Sequence, residues 1–376
     1  MKVFMFPGQG SQYKGMGGDL FDGFKDLADK ADGILGYSLR ELCIDDPRGE
    51  LNQTRFTQPA LYVVNALSYF RKLEEGSGKP DFLAGHSLGE FNALMAAGCY
   101  DFETGLKLVQ KRGELMGEVS NGAMAAIVNA GKEEIESALA ENGLSNVFIA
   151  NYNTPSQIVI SGQADEIARA EQLFQRGKMR YYPLNTSGAF HTRFMLPAKE
   201  AFSKFLKQFK FAKPQIPVIA NYSARPYEDK KIADTLSRQI ASTVRWSESI
   251  QYLLETASER GQEAAFEEVG AGDVLTRLVY GIKQQMQAST GQAAEKQAEE
   301  ATQAEQPASG PAKESAADKV AAWNRGHPIG SKVKTSMEGY PELETRTEAV
   351  VLFGHRAAVY MKGYNGYFDL DEVSPA

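Results

Sequence analysis

Ser87 stands between two glycines in Gly85-His86-Ser87-Leu88-Gly89, the spacing of a nucleophile elbow. Apolar Phe82-Leu83-Ala84 before it reads as the end of a buried strand, and Glu90 to Gly98 after it as a short helix stopped by glycine. At such a turn the glycines permit a tight, strained backbone that lifts the hydroxyl clear of the sheet. The helix N-terminus then aims N–H groups at a reacting carbonyl. A plain Gly/Ser connection between strand and helix carries the same letters, so the motif needs partners.

A serine needs a base before it attacks. The chain has four histidines. His86 adjoins the serine and is poorly placed to reach back to its neighbour's hydroxyl. His327 and His355 lie far beyond, after a low-complexity stretch. His191 remains, in Gly188-Ala189-Phe190-His191-Thr192, and a neutral imidazole suits the task. The first strand runs into Pro7-Gly8-Gln9-Gly10-Ser11-Gln12, a loop that brings backbone close to a ligand. An oxyanion hole takes one N–H from the residue after the nucleophile, Leu88, and one from such a loop, Gln9. Read alone, such a loop is more often a plain connection from strand to helix. Arg112 falls among the helically spaced apolar positions Leu108 and Leu115. A guanidinium there calls for a carboxylate, either from a ligand or from a structural ion pair.

These residues need a frame. The chain has 376 residues, enough for more than one domain, and a net charge of −7, which excludes the basic face of a nucleic-acid protein. No apolar run reaches the ~18 residues of a membrane span. The chain opens directly on the short strand Lys2–Phe6, without the longer apolar core of a signal peptide, and a cytoplasmic protein is expected. Cys43 and Cys99 form no ligand pattern and are expected as reduced core residues. No metal or other cofactor is implied.

Residues 1–282 alternate apolar strands with long helical patterns, which predicts an α/β domain with a mostly parallel sheet. Within it, about 123–190 follows the order βαββαβ, the ferredoxin-like split motif, as an inserted subdomain. From 283 to 320 the composition collapses to Ala, Gln, Glu, Ser and Lys, predicting a flexible linker. Residues 321–376, rich in Val, Tyr, Phe and Gly, predict a small separate β-barrel-like module of four or five strands, with turns at Gly354-His355 and Gly363–Gly366.

Taken together, the pieces resemble the malonyl-CoA:acyl carrier protein transacylase family, and within it the free-standing acyltransferases that serve polyketide synthases lacking an acyltransferase domain. The resemblance covers 1–282. It rests on Pro-Gly-Gln-Gly-Ser-Gln at 7–12, Gly-His-Ser-Leu-Gly-Glu at 85–90, Arg112-Gly113, Gly122–Ala126, Asn151–Gln157, Gly188–His191 and Glu268-Val269-Gly270. It implies a large hydrolase-like subdomain carrying the smaller insertion. It also implies roles. Ser87 would carry the acyl group, His191 would be its base, and a backbone carbonyl near Gln239 would orient the histidine. Arg112 would pair with the free carboxylate of malonate. Phe190 resembles the bulky residue that disfavours an α-methyl group, and His86 joins the substrate pocket.

The activity implied is ping-pong transfer of malonyl from malonyl-CoA to the phosphopantetheine thiol of an acyl carrier protein, with a polyketide synthase as downstream partner. A proofreading acyl hydrolase uses the same serine but has no need of Arg112. A non-catalytic scaffold has no need of Ser87, His191 and Arg112 together. Docking of an acidic carrier protein is expected on basic residues near the cleft, Arg176, Lys178 and Arg180 and the helix face with Lys204, Lys207 and Lys210, a solvated helix face being the alternative.

Overall fold

The computed structural model describes residues 1–186, 188–288, 315–335, 343–352, 356–364 and 367–376. The chain divides into two compact units, Met1–Glu295 and Lys296–Ala376.

In the first unit β1 (Lys2–Phe6) and β2 (Phe82–Gly85) are apolar nearly throughout and buried on both faces, the pattern of central parallel strands. The insertion supplies β3 (Gly122–Val128), β4 (Val147–Thr154), β5 (Gln157–Gln163) and β6 (Arg180–Pro183). The large subdomain resumes with β7 (Val218–Ala220), β8 (Arg225–Pro226) and β9 (Ala265–Glu268). Its sheet has the order β8-β7-β2-β1-β9, parallel except for the edge strand β8.

Three short helices, α1 (Leu20–Gly23), α2 (Lys25–Leu35) and α3 (Leu39–Ile44), precede α4 (Thr54–Glu74), whose middle is buried from Thr57 to Leu67. Next come α5 (Gly89–Ala96) and α6 (Phe102–Gly117), the latter capped by the Asp101 carboxylate on the Thr104 N–H. The core between these helices and the sheet contains Phe4, Phe6, Tyr62, Leu83, Phe91 and Leu106. On the other face Val3, Met5 and Ile219 pack against Trp246, Ile250 and Leu253.

The insertion forms an antiparallel sheet of order β4-β5-β3-β6, covered by α7 (Lys132–Glu141) and α8 (Ala164–Phe174). That is the expected βαββαβ split motif. Its entry and exit strands touch: a Cβ on Gly122 would lie 2.1 Å from the Ala189 nitrogen, so only glycine fits there. The insertion is also stitched to the large subdomain. Tyr152 N–H donates to Val244 O at 2.9 Å and Val244 N–H to Ala150 O at 2.8 Å. Beyond the insertion lie α9 (Leu196–Leu206), α10 (Ile232–Gln239), α11 (Trp246–Glu259) and a further helix, α12, over 274–288.

In the second unit, among the described residues, α13 (Ala316–Gly326) precedes six short strands in two three-stranded sheets, around a core of Val333, Leu343, Val359, Met361 and Phe368. The helix straddles the expected start of the β module at 321, its first turn falling in the stretch expected as linker. Its signal is Ser315, whose side chain accepts from Asp318 N–H, in a capping sequence that follows directly on the low-complexity stretch. The expected division at 282/283 falls inside α12, and that at 320/321 inside α13. Most of the expected linker, the expected turn at Gly354-His355, and Asn365-Gly366 lie outside the described residues. No described helix is long and apolar enough to cross a membrane.

Candidate active site

Ser87 sits at the end of β2, at the first turn of α5, with a φ of 51°. That left-handed backbone is unfavourable for a serine and is held by what surrounds it. A Cβ on Gly85 would fall 2.0 Å from the Gly89 carbonyl carbon, and one on Gly89 2.0 Å from Phe6 O. Both glycines are therefore required for β2, α5 and β1 to approach so closely. Asn221, just after β7, clamps the turn: its Oδ1 accepts from Ser87 N–H at 2.7 Å and its Nδ2 donates to Gly85 O at 2.7 Å. Asn221 is itself fixed through its N–H, which donates to the buried Glu90 carboxylate at 2.8 Å. Tyr227 donates its hydroxyl to the other Glu90 oxygen.

His191 approaches from the point where the insertion returns to the large subdomain. Its Nε2 lies 2.8 Å from Ser87 Oγ. Its Nδ1 lies 3.0 Å from Gln239 O and 3.2 Å from Ser242 O. Carbonyls only accept, so Nδ1 carries the proton and Nε2 presents its lone pair to the serine hydroxyl. Among the described residues no carboxylate completes a triad; main-chain carbonyls hold the tautomer instead. Burial, reinforced by the positive charge of Arg112, pulls the His191 pKa down to about 3. The imidazole is thus neutral at physiological pH, the form a base needs.

Arg112, on α6, is 1% exposed and reaches the same point. Its Nη2 donates to Ser87 Oγ at 3.1 Å and to Gln239 Oε1 at 2.8 Å, and its Nη1 to Gln58 Oε1 at 2.9 Å. The guanidinium lies over the Phe91 ring, 5.5 Å from its centroid. Among the described residues no carboxylate forms an ion pair with it, and its Nε has no hydrogen-bond partner. Burial lowers its pKa to about 10, so it stays cationic at neutral pH.

The cavity over Ser87 is walled by Met116, Met124, Leu184 and Phe190, and its polar lining includes Gln9, Gln58, Arg112, Asn151, Thr186 and His191. The N–H groups of Gln9 and Leu88 have no protein acceptor among the described residues. Phe190 is buried beside His191. His86 lines the cavity but turns from Ser87: its Nε2 pairs with Asn153 Oδ1 at 2.8 Å across the two subdomains, and its ring rests 5.5 Å from that of Trp246. Ser87, His191, Gln239, Arg112, Gln9, Leu88, Phe190 and His86 are therefore all brought to one place.

Sequence reasoning missed Gln58, Asn221, Glu90 and Asn153. Gln58 carried a usable signal, a polar Thr57-Gln58 pair in an apolar helical run. Asn221 resembled an ordinary strand end, and its partner is 134 positions away.

The geometry is that of a serine acyl carrier, and comparison with known proteins agrees. Residues 3–299 match the acyl transferase domain model. The chain belongs to the acyl transferase domain family. It is 53% identical, over 77% of its length and 99% of the relative's, to the polyketide biosynthesis malonyl CoA-acyl carrier protein transacylase PksC of Bacillus subtilis. The malonyl CoA-acyl carrier protein transacylase of Burkholderia pseudomallei superposes with a TM-score of 0.75 at 64% identity, covering 76% of this chain and 98% of that one. A malonyl-transacylase solved in complex with a type II polyketide synthase acyl-carrier protein superposes with a TM-score of 0.70 at 35% identity, covering 75% and 92%. All three align with the acyl transferase part of the chain and leave about a quarter of it unmatched.

Proposed function

We propose that this chain moves a malonyl group from malonyl-CoA to the phosphopantetheine thiol of an acyl carrier protein, supplying a polyketide synthase. The observation that carries the reading is Arg112, a buried cation beside Ser87 Oγ that no carboxylate among the described residues meets in a direct ion pair, Glu90 acting on it only at longer range. Buried charges are ordinarily paired, because stripping an ion of water costs several kcal/mol. The free carboxylate of a malonyl group supplies the missing charge.

The reaction runs in two halves. His191 Nε2 takes the Ser87 proton as Oγ attacks the thioester carbonyl. The oxyanion rests on the N–H groups of Gln9 and Leu88. The intermediate collapses, the C–S bond breaks, and the imidazolium returns its proton to the departing coenzyme A thiolate. A malonyl ester remains on Ser87. The carrier thiol then gives its proton to His191, attacks the ester, and leaves as the malonyl thioester while Ser87 regains its proton. Gln239 O holds Nδ1–H throughout. Such a supply enzyme works in the cytoplasm.

A release of acyl groups to water shares Ser87 and His191 but leaves Arg112 without a purpose. For carrier docking, Arg176 and Lys178 are exposed between α8 and β6 and Arg180 at the start of β6, and Lys204, Lys207 and Lys210 are exposed on and after α9. None of the six forms an ion pair among the described residues. Intact mass after mixing with malonyl-CoA tests the reading. A malonyl adduct on Ser87 that persists until carrier protein is added supports it. No adduct, or one that decays as fast without carrier, rejects it.

A further inference from the structure

Two buried carboxamides lie behind the loop that carries Gln9, away from the cavity over Ser87. Asn65 on α4 and Asn92 on α5 are both fully buried, and neither lines that cavity. Asn92 Nδ2 donates to Tyr62 O at 2.8 Å, which leaves its Oδ1 to face Asn65. Asn65 Nδ2 donates to that Oδ1 at 3.2 Å and to Pro7 O at 2.9 Å. Carbonyl oxygens only accept, so each amide has one orientation and both Asn65 amide hydrogens are engaged. The Asn65 Oδ1 has no hydrogen-bond partner among the described residues, and a Cβ on Gly270 would lie 1.9 Å from it. Leaving a buried acceptor unsatisfied costs stability, and Asn65 bears that cost while making its two donated bonds.

Those bonds tie the loop of Gln9 to the helix of Leu88. Pro7 opens the loop, and a Cβ on Gly8 would lie 2.2 Å from His86 O, so loop and elbow are in close contact. Gly8 O and Gln9 N–H share one peptide plane. Gly8 O accepts from the Ser11 N–H at 3.3 Å and from the Ser11 hydroxyl. Ser11 thus sets the direction of the Gln9 N–H, and Asn65 sets where the loop begins. Leu88 lies one helical turn before Asn92, at the start of α5.

We propose that Asn65 is a positioning residue: by bonding Pro7 O and Asn92 Oδ1 at once, it fixes the separation of the Gln9 and Leu88 N–H groups that receive the oxyanion. The inference rests on the acyl-transfer reading above. An oxyanion hole acts on charge that forms in the transition state, not on the bound thioester. Loosening it slows every acyl donor alike and leaves donor binding unchanged.

The test is single-turnover loading of Ser87, read by intact mass over a range of malonyl-CoA and acetyl-CoA concentrations, in wild type, Asn65→Leu and Asn65→Ser. Leucine is nearly the same size as asparagine and donates nothing. Asn65→Leu should lower the maximal loading rate ~10–100-fold with both thioesters. The half-saturating concentrations and the malonyl-to-acetyl ratio should stay within about twofold of wild type. Asn65→Ser keeps one short donor, which cannot reach both acceptors, and should shift the same quantities in the same direction. An Asn65→Leu protein with the wild-type maximal rate overturns the inference. So does a loss confined to malonyl or to the half-saturating concentration, which would give Asn65 a part in donor binding. If Asn65→Leu does not fold, the same readings from Asn65→Ser decide. Wild type that loads no malonyl rejects the underlying function instead, which separates the two failures.

Discussion

The Nδ1–H of His191 donates to the main-chain carbonyl of Gln239, 3.0 Å away, while the Gln239 side chain turns back to Arg112 and to the Ser87 carbonyl. One residue therefore orients the base through its backbone and the cation and the elbow through its amide. The two duties are separable by mutation. Gln239→Ala keeps the carbonyl and with it the His191 tautomer. Loss of the bond to Arg112 and of the one to Ser87 O should slow malonyl loading ~10–100-fold, the worth of one charged hydrogen bond. Rapid-quench loading kinetics measure it, and a rate within twofold of wild type would remove the side chain from the account.

Arg112→Ala is expected to lower malonyl loading far more than acetyl loading. Hydrogen bonds to a charged group contribute about 1.5–3 kcal/mol, or roughly ten- to a hundredfold. Parallel loading assays with the two thioesters check it. Equal losses would mark Arg112 as structural.

Phe190 to alanine should relax discrimination against methylmalonyl-CoA. Its ring is buried against the cavity beside His191, and one methyl group in an apolar pocket is worth about 1–3 kcal/mol. Competition between the two substrates gives the ratio. An unchanged ratio in a folded variant assigns selectivity to Met116, Met124 or Leu184.

Two buried groups oppose each other in pH. Burial raises the Glu90 pKa from 4.5 to about 7, so the folded state holds that proton more tightly than the unfolded chain does. Stability from this group is full below 4.5 and lost as pH rises through 7. His191 is depressed from 6.5 to about 3, so its contribution is full above 6.5 and lost as pH falls toward 3. Glu90→Gln abolishes the first slope alone. Relative to wild type, it should gain ~2–4 kcal/mol of stability between pH 4.5 and 8, at 1.36 kcal/mol per pKa unit. Melting at a series of pH values tests this, and a constant difference refutes it.

A truncation that keeps residues 1–288 should load malonate like the full chain. Composition alone suggests a cut after Gln284. That cut would remove Gln285, which donates to Ser156 Oγ on the β4–β5 hairpin, and Met286, which packs against the Trp246 side of the core. Intact mass of both truncations decides it: loading should survive the longer and weaken in the shorter. Failure of the longer would mean that the second unit is needed for loading.

Much of this was legible because the signals are local. Phe82–Gly85 and the glycines beside Ser87 announce strand, turn and helix within ten positions, and 123–190 spells its split motif in hydrophobic runs. Arg112 showed its type and helical face, but the sequence could not say whether an acid waited for it. That depends on α4, 54 positions away at Gln58, and on α10. Asn221 and Glu90 stayed hidden for the same reason: their partners are assembled by the sheet rather than by the chain. The end of α12 and the start of α13 were blurred because residues 283–288, rich in glutamine, and 316–322, rich in alanine, grade into the low-complexity stretch.

Ser87 and His191 are separated by 104 positions, and the whole inserted sheet lies between them. The carbonyls that hold the base come later still, at Gln239 and Ser242. Synthesis proceeds from the N-terminus, and domains fold as their segments become available. A nascent chain therefore displays its serine long before it has a base to activate it. Partly made molecules on the ribosome carry no activated serine, and coenzyme A thioesters meet no nucleophile there until the subdomains have closed on one another.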